Sequence, residues 1–285
     1  MSKARLMDGT SLARQMVERA GKRATHLTEQ TGTAPCLATV LVGEDPASVT
    51  YVRMKQNRCR KAGIASRQVT LPAATTTGEL VGTLEALSAD PGVHGILLQH
   101  PVGEHIDERA AFEAIAPGKD VDGVTFASFA TMSFGLPGFV SCTPGGIMRL
   151  LDEYGVDPSG KRAVVVGRSA ILGKPVGMLL LARDATVTYC HSRTRDLSAA
   201  VREADVVVAA VGRPRLIRGQ DIKPGAVVID AGYNAGNVGD VDFDSAVERA
   251  SLITPVPGGV GPMTIATLLE QTVDAAARQL GLPGV

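Results

Sequence analysis

The chain contains no tryptophan, and aromatic residues fill only 4% of its 285 positions. Base-stacking platforms and aromatic sugar-binding clefts are built from such rings, so neither fits this composition. Net charge is also missing, because 29 Lys and Arg balance 29 Asp and Glu. A surface shaped throughout for nucleic acid carries a basic excess, so no nucleic-acid partner is expected. Zero net charge still permits a local basic pocket for a phosphorylated small molecule. The four cysteines, Cys36, Cys59, Cys142 and Cys190, form no CxxC pair, and no His/Cys cluster has zinc spacing. No metal site is expected, and reduced thiols in a cytoplasmic protein are the simplest reading. The opening residues, Met1 to Gly9, lack an apolar signal core, and no run approaches the ~18 apolar residues of a membrane span.

What the chain does have is 45% hydrophobic residues, 32 glycines, 16 prolines and an alternation of short β-branched runs with helical patterns. Leu12, Met16, Ala20, Ala24 and Leu27 give an opening amphipathic helix. Strands are expected at Cys36–Val42, Ala65–Leu71 and His94–Gln99, with helices at Ala47–Ala62, Thr77–Ala89 and Asp107–Ile115. Residues 116–142 break this rhythm with turn signals, and Thr143-Pro144 reads as a helix cap followed by proline in the first turn. A second series follows, with strands at Ala163–Val166, Ala185–Tyr189, Asp205–Ala210, Val227–Asp230 and Ser251–Thr254. A Pro/Gly loop and an amphipathic helix from about Met263 to Leu280 close the chain. Strand–helix alternation favours parallel sheets covered by helices. The expected fold is therefore two α/β domains flanking a cleft, the second Rossmann-like. The division places residues 1–142, with the helix at about 263–285, in the first domain and 143–262 in the second.

The sharpest local signal is Val164-Val165-Val166-Gly167-Arg168-Ser169-Ala170-Ile171-Leu172-Gly173-Lys174-Pro175. A strand runs into a glycine turn and a helix start, which would place N–H groups at a phosphate site. It is neither GxGxxG nor a P-loop, and alone it reads equally as an ordinary strand-to-helix turn. The next strand ends in Cys190-His191-Ser192-Arg193-Thr194-Arg195, with no carboxylate to hold a ribose 2′-OH. Ser192, Arg193 and Arg168 suit a 2′-phosphate instead, which favours NADP over NAD. In the first domain, Tyr51 and Lys55 are one helical turn apart, with Ser48 close to the same face. Such a pair can handle protons, although spacing alone favours a packed tyrosine beside a surface lysine. Gln99 ends a strand. Asp120 and Asp122 lie in a Gly/Pro-rich loop, where they would serve a ligand or form turns.

Together these segments resemble the bifunctional methylenetetrahydrofolate dehydrogenase/methenyltetrahydrofolate cyclohydrolase family. The resemblance runs in order over nearly the whole chain, through Tyr51-Val-Arg-Met-Lys55, Gly95-Ile-Leu-Leu-Gln99, Pro117-Gly-Lys-Asp-Val-Asp122-Gly123 and Cys142-Thr-Pro-Gly-Gly146. It continues through Val166-Gly-Arg-Ser169, Ala185–Ser192 and Thr254-Pro-Val-Pro-Gly-Gly-Val-Gly-Pro-Met-Thr264. The resemblance implies NADP-dependent oxidation of 5,10-methylenetetrahydrofolate to the methenyl cation, then hydrolysis to 10-formyltetrahydrofolate. It implies Lys55 as the acid/base, Tyr51 positioning it with Ser48 nearby, Gln99 tuning it and Asp122 holding the pterin edge. It further implies Pro257, Gly258 and Gly259 lining the folate side, and Gly167, Arg168, Ser169, Ser192, Arg193 and Tyr233 on the cofactor side. A homodimer is implied as well. His100-Pro101-Val102-Gly103 and Tyr233 depart from the family's usual residues. A dehydrogenase with a weak cyclohydrolase step and a non-catalytic binding protein on the same scaffold are the alternatives.

Overall fold

The structure, a computed structural model, describes residues 3–282, and among them not the side chains of residues 46–51. In chain order the elements are β1 (Arg5–Leu6), α1 (Gly9–Thr31), β2 (Cys36–Val42), α2 (Pro46–Lys61), β3 (Ala65–Leu71), α3 (Thr77–Ala89), β4 (Gly95–Leu98), α4 (Glu108–Glu113) and α5 (Phe126–Ser133). They continue with α6 (Cys142–Glu153), β5 (Arg162–Val166), α7 (Gly173–Leu181), β6 (Thr186–Cys190), α8 (Leu197–Arg202), β7 (Val206–Ala209), β8 (Val227–Asp230), α9 (Phe243–Ala246), β9 (Leu252–Ile253) and α10 (Val260–Gln279). The chain forms two compact units. One holds the segment up to Arg14, Met132–Leu136 and Ser141–Ile265, and the other Gln15–Thr131, Pro137–Val140 and the segment from Ala266 on.

The smaller sheet runs β3-β2-β4, all parallel. Nearly every residue of β2 and all of β4 are buried, as parallel strands covered on both faces require. α3 packs on β4 with Leu80, Leu84 and Leu87 turned inward. Its start is fixed by a capping box, since Thr76 Oγ1 accepts from Glu79 N and Glu79 Oε2 accepts from Thr76 N. Such a cap contributes ~1 kcal/mol. α10 is tied to the same unit through Gln271, whose amide donates to the carbonyls of Val121 (2.8 Å) and Val140 (2.9 Å).

The larger sheet runs β1-β9-β8-β7-β5-β6, again all parallel. The chain leaves β5 for β6 on one side and then returns to β7 on the other. That reversal is the topological switch point at which doubly wound sheets open a crevice beyond the strands' carboxyl ends. The edge strand β1 comes from the start of the chain, pairing Arg5 with Leu252 and Leu6 with Ile253. The segment before α1 therefore belongs with this sheet, although the sequence division counts it with the first domain.

Two local expectations are corrected. The cap of α6 is Ser141, not Thr143, and helical geometry begins at Cys142. Thr143 instead lies 2.9 Å, hydroxyl to hydroxyl, from Thr264. The stretch 116–142 is not featureless, because it contains a 3-10 turn at Pro117–Lys119 and all of α5.

Candidate functional site

In the three-stranded unit, Lys55 projects from α2 and is only 6% exposed. Its ammonium lies 2.9 Å from Gln99 Oε1. Gln99 follows β4 directly, and its backbone N–H donates to Val40 O of the neighbouring strand. The Gln99 side-chain NH2 donates to His100 O, which turns Oε1 toward the lysine. The structure thus brings Lys55 and Gln99 together at the carboxyl end of the sheet and excludes the surface-lysine reading. The side chains of Tyr51 and Ser48, expected at this site, lie outside those the structure describes.

The two aspartates of the following loop part company. Asp120 is fully buried and accepts from Val124 N, Thr125 N (2.9 Å) and Ser128 Oγ (2.6 Å). It anchors the start of α5, which occupies its oxygens and removes it as a ligand. Asp122 is half-buried, next to Val121, whose carbonyl Gln271 holds. Among the described residues no three His, Cys, Asp or Glu side chains converge as a metal site would require. Burial raises the thiols of Cys36 and Cys190 and pushes Cys59 up to about 12, which makes these three poor nucleophiles at neutral pH.

In the six-stranded unit, Gly167 leaves β5 at φ +133°, in a region L side chains rarely adopt. A Cβ there would overlap the carbonyl oxygen of Ala210, which follows β7, so the glycine turn sits at the switch point itself. Gly173, the first residue of α7, lies so close that its Cβ would be 2.6 Å from Gly167 C. The register pairs Val166 with Cys190, so the turns that carry Arg168 and Ser192 leave adjacent strands at the same level. Arg168, Ser169, Ser192 and Arg193 are all exposed. The Ser192–Arg193 turn is set by His191 N donating to Thr194 Oγ1 and Arg193 N donating to His191 Nδ1. A backbone cradle beside exposed guanidinium and hydroxyl groups fits a phosphorylated dinucleotide.

The expected role for the N-terminus of α7 needs correction. Gly173 N donates to Ser169 Oγ (3.2 Å), Lys174 N donates to Ser169 O (3.0 Å), and Pro175 has no N–H. The helix's first donors are therefore spent on its own turn, while residues 168–170 of that turn are exposed. Tyr233 lies beyond β8, 68% exposed, with its hydroxyl donating to Asn237 Oδ1. In the same unit, Gly258 O accepts from Thr10 N and Oγ1, fixing the Pro257–Gly259 loop over the start of α1.

Two carboxylates that sequence reasoning missed organise the loops after β7 and β8. Asp240 is fully buried. It accepts from Val211 N (2.7 Å), Gly212 N (2.9 Å), Arg213 N (2.8 Å) and Asn234 Nδ2 (3.1 Å). Asp230, at the end of β8, accepts from Gly232 N, Asp240 N and Val241 N. Burial, with Asp240 adding to it, pushes the Asp230 carboxyl up to about 6. The one available signal was an acidic residue ending the apolar run Val227-Val228-Ile229-Asp230.

Comparison with known proteins agrees with this geometry. Residues 7–122 match the catalytic domain of tetrahydrofolate dehydrogenase/cyclohydrolase, and residues 141–280 match its NAD(P)-binding domain. "Bifunctional protein FolD 1" of Streptomyces avermitilis is 80% identical over 279 residues, covering 98% of this chain and 97% of the relative. The FolD methylenetetrahydrofolate dehydrogenase/cyclohydrolase structure from Campylobacter jejuni is 42% identical with a TM-score of 0.94, covering 96% of this chain and 99% of that one. The Trypanosoma brucei methylenetetrahydrofolate dehydrogenase-cyclohydrolase, solved with NADP and an inhibitor, is 38% identical with a TM-score of 0.94, covering 98% and 99%. Both domain matches, in series along one chain and at this identity, lead to a single conclusion: the chain belongs to the tetrahydrofolate dehydrogenase/cyclohydrolase family.

Proposed function

We propose that this chain oxidises 5,10-methylenetetrahydrofolate to the 5,10-methenyl cation with NADP and hydrolyses that cation to 10-formyltetrahydrofolate, with Lys55 handling protons in the second step. The observation that carries the reading is a buried lysine amine held 2.9 Å from a glutamine oxygen at the carboxyl end of a parallel sheet. Bound NADP supplies the hydride acceptor. Oxidation of the methylene carbon takes no proton from the protein, so the chain's task in that step is orientation. Hydrolysis differs, because the attacking water must lose a proton and a ring nitrogen must gain one as its C–N bond breaks. Lys55 serves both transfers, and Gln99 holds its amine in place. Asp122 accepts hydrogen bonds from the 2-amino group and N3 of the pterin, as an ionised carboxylate can.

On this reading the three-stranded unit with the closing helix serves the folate, and the six-stranded unit, which includes the segment before α1, serves NADP. Gly167, Arg168, Ser169, Ser192, Arg193 and Tyr233 meet the coenzyme, while Tyr51, Ser48, Pro257, Gly258 and Gly259 contribute to folate placement. No described helix is long and apolar enough to cross a membrane. A cytoplasmic homodimer is the proposed working form.

The test is a two-step spectrophotometric assay, following methenyl formation with NADP and then methenyl decay. Replacement of a carboxylate by basic groups at the 2′-phosphate site predicts a kcat/KM at least ~10-fold higher with NADP than with NAD. Equal values for the two coenzymes would overturn the cofactor assignment. Methenyl formation without enzyme-dependent decay would remove the second activity.

A further inference from the structure

We infer that Asp240 is a positioning residue for the coenzyme, acting as an internal anion that fixes the loop after β7. Three consecutive backbone N–H groups, Val211 to Arg213, all point at its carboxylate. A row of N–H groups beyond a strand at a switch point is a natural anion cradle. Here the anion is built in. The side-chain amide of Asn234, next to Tyr233, donates to the same carboxylate and ties the β8 loop to the β7 loop. Every donor on Asp240 is neutral, so its charge is held by oriented dipoles. Asp230 positions Asp240 in turn by accepting from its backbone N–H (3.0 Å). The spacing admits no extra atom, since a Cβ on Gly239 would overlap Asp230 and one on Gly232 would overlap Asp240.

This arrangement lies on the side of β5 opposite Ser192. β7 flanks β5 on one side and β6 flanks it on the other. Ala210, which begins the held loop, is the residue against which Gly167 packs. Asp240 therefore sets the wall facing the glycine turn while lying wholly out of solvent. Because it occupies the 211–213 donors, those N–H groups are not left for the coenzyme's phosphates.

The inference rests on the coenzyme reading above. Its test is Asp240→Asn, which keeps size and removes the charge. An amide cannot accept at both positions, so at least one backbone N–H would face an NH2. The expected result is a KM for NADP raised roughly ten-fold or more. The kcat of the dehydrogenase at saturating NADP should stay within about two-fold, as should coenzyme-free hydrolysis of the methenyl substrate, because Asp240 lies outside the proton-handling site. An unchanged KM for NADP, or equal loss of both activities in a folded variant, would overturn the inference. Should Asp240→Asn fail to fold, Asn234→Ala removes one donor and leaves three. It should raise the same KM by a smaller factor, and no change in it would also overturn the assignment. Direct titration of the wild-type protein with NADP keeps the two levels apart. Absence of binding there would refute the coenzyme reading itself, whereas tight wild-type binding with an unmoved variant KM refutes only the role of Asp240.

Discussion

Replacing Gly167 with alanine tests the coenzyme turn at its tightest point. The residue has φ +133°, which costs ~1–3 kcal/mol for a residue with a Cβ. The new methyl would overlap the Ala210 carbonyl oxygen and lie 2.9 Å from its carbon. Neither strand end can yield cheaply. Gly167 N donates to Cys190 O (2.9 Å) and Ala210 N donates to Val166 O (2.8 Å), so displacement breaks a ladder bond worth ~0.5–1.5 kcal/mol. The sum is ~1.5–4.5 kcal/mol. At ~2–4 °C per kcal/mol for a domain of this size, the melting temperature should fall by about 3–18 °C. Gly160→Ala is the matched control. It too has positive φ, +69°, but nothing lies within 4 Å of its added Cβ, so only the backbone term applies. Calorimetry of both variants, with an NADP titration of each, gives the comparison. Gly167→Ala should also lose NADP affinity while keeping coenzyme-free cyclohydrolase activity. A Gly167→Ala protein that melts with the Gly160→Ala control and binds NADP normally would refute the packing argument.

Lys55→Met keeps the buried stem and removes the proton carrier. Cyclohydrolase activity should fall ~10²–10⁴-fold and the dehydrogenase less, in paired kinetics on a folded protein; a retained cyclohydrolase step would reject the role. Asp122→Ala should raise the folate KM in both reactions, and normal folate binding by isothermal titration would return that loop to a structural role. Asp230 gives a pH signature. Its folded-state carboxyl sits at about 6, above the unfolded value of 3.8, so the stability it contributes is full below pH ~4 and lost as pH rises through 6. The loss amounts to about 3 kcal/mol between those limits. Denaturant unfolding from pH 4 to 7 should show a shallower decline in Asp230→Asn than in wild type, and parallel curves would contradict the assignment.

Much of the fold was legible because β2, β4, β5, β7 and β8 are mainly apolar runs and several helices carry stripes or caps. Thr77–Ala89 matches its expected bounds, since Thr76, Glu79 and Asp90-Pro91 mark both ends chemically. β1 was not legible, because two residues carry no periodicity and their strand character comes only from pairing with β9. α5 hid behind glycine and proline signals on either side, and the carboxylate that starts it, Asp120, lies six residues upstream. Lys55 and Gln99 were singled out by position but given their roles only through resemblance, since spacing could not tell a buried lysine from a surface one. The spent donors of α7 and the buried carboxylate of Asp240 were invisible because both depend on where loops return in space.

The pairing of β1 with β9 also bears on how the chain must come together during synthesis. Arg5 leaves the ribosome early, yet its partner, Leu252, lies near the other end of the sequence. The three-stranded unit has the same dependence, because Gln271 and Gln279 close it from the last helix. The six-stranded unit must wait for β9, and the three-stranded unit for the last helix. Long-range closure of this kind slows folding and prolongs exposure of strand edges. Each unit is thus a ring in sequence terms, begun early and closed late, and the three-stranded one is closed only when α10 emerges.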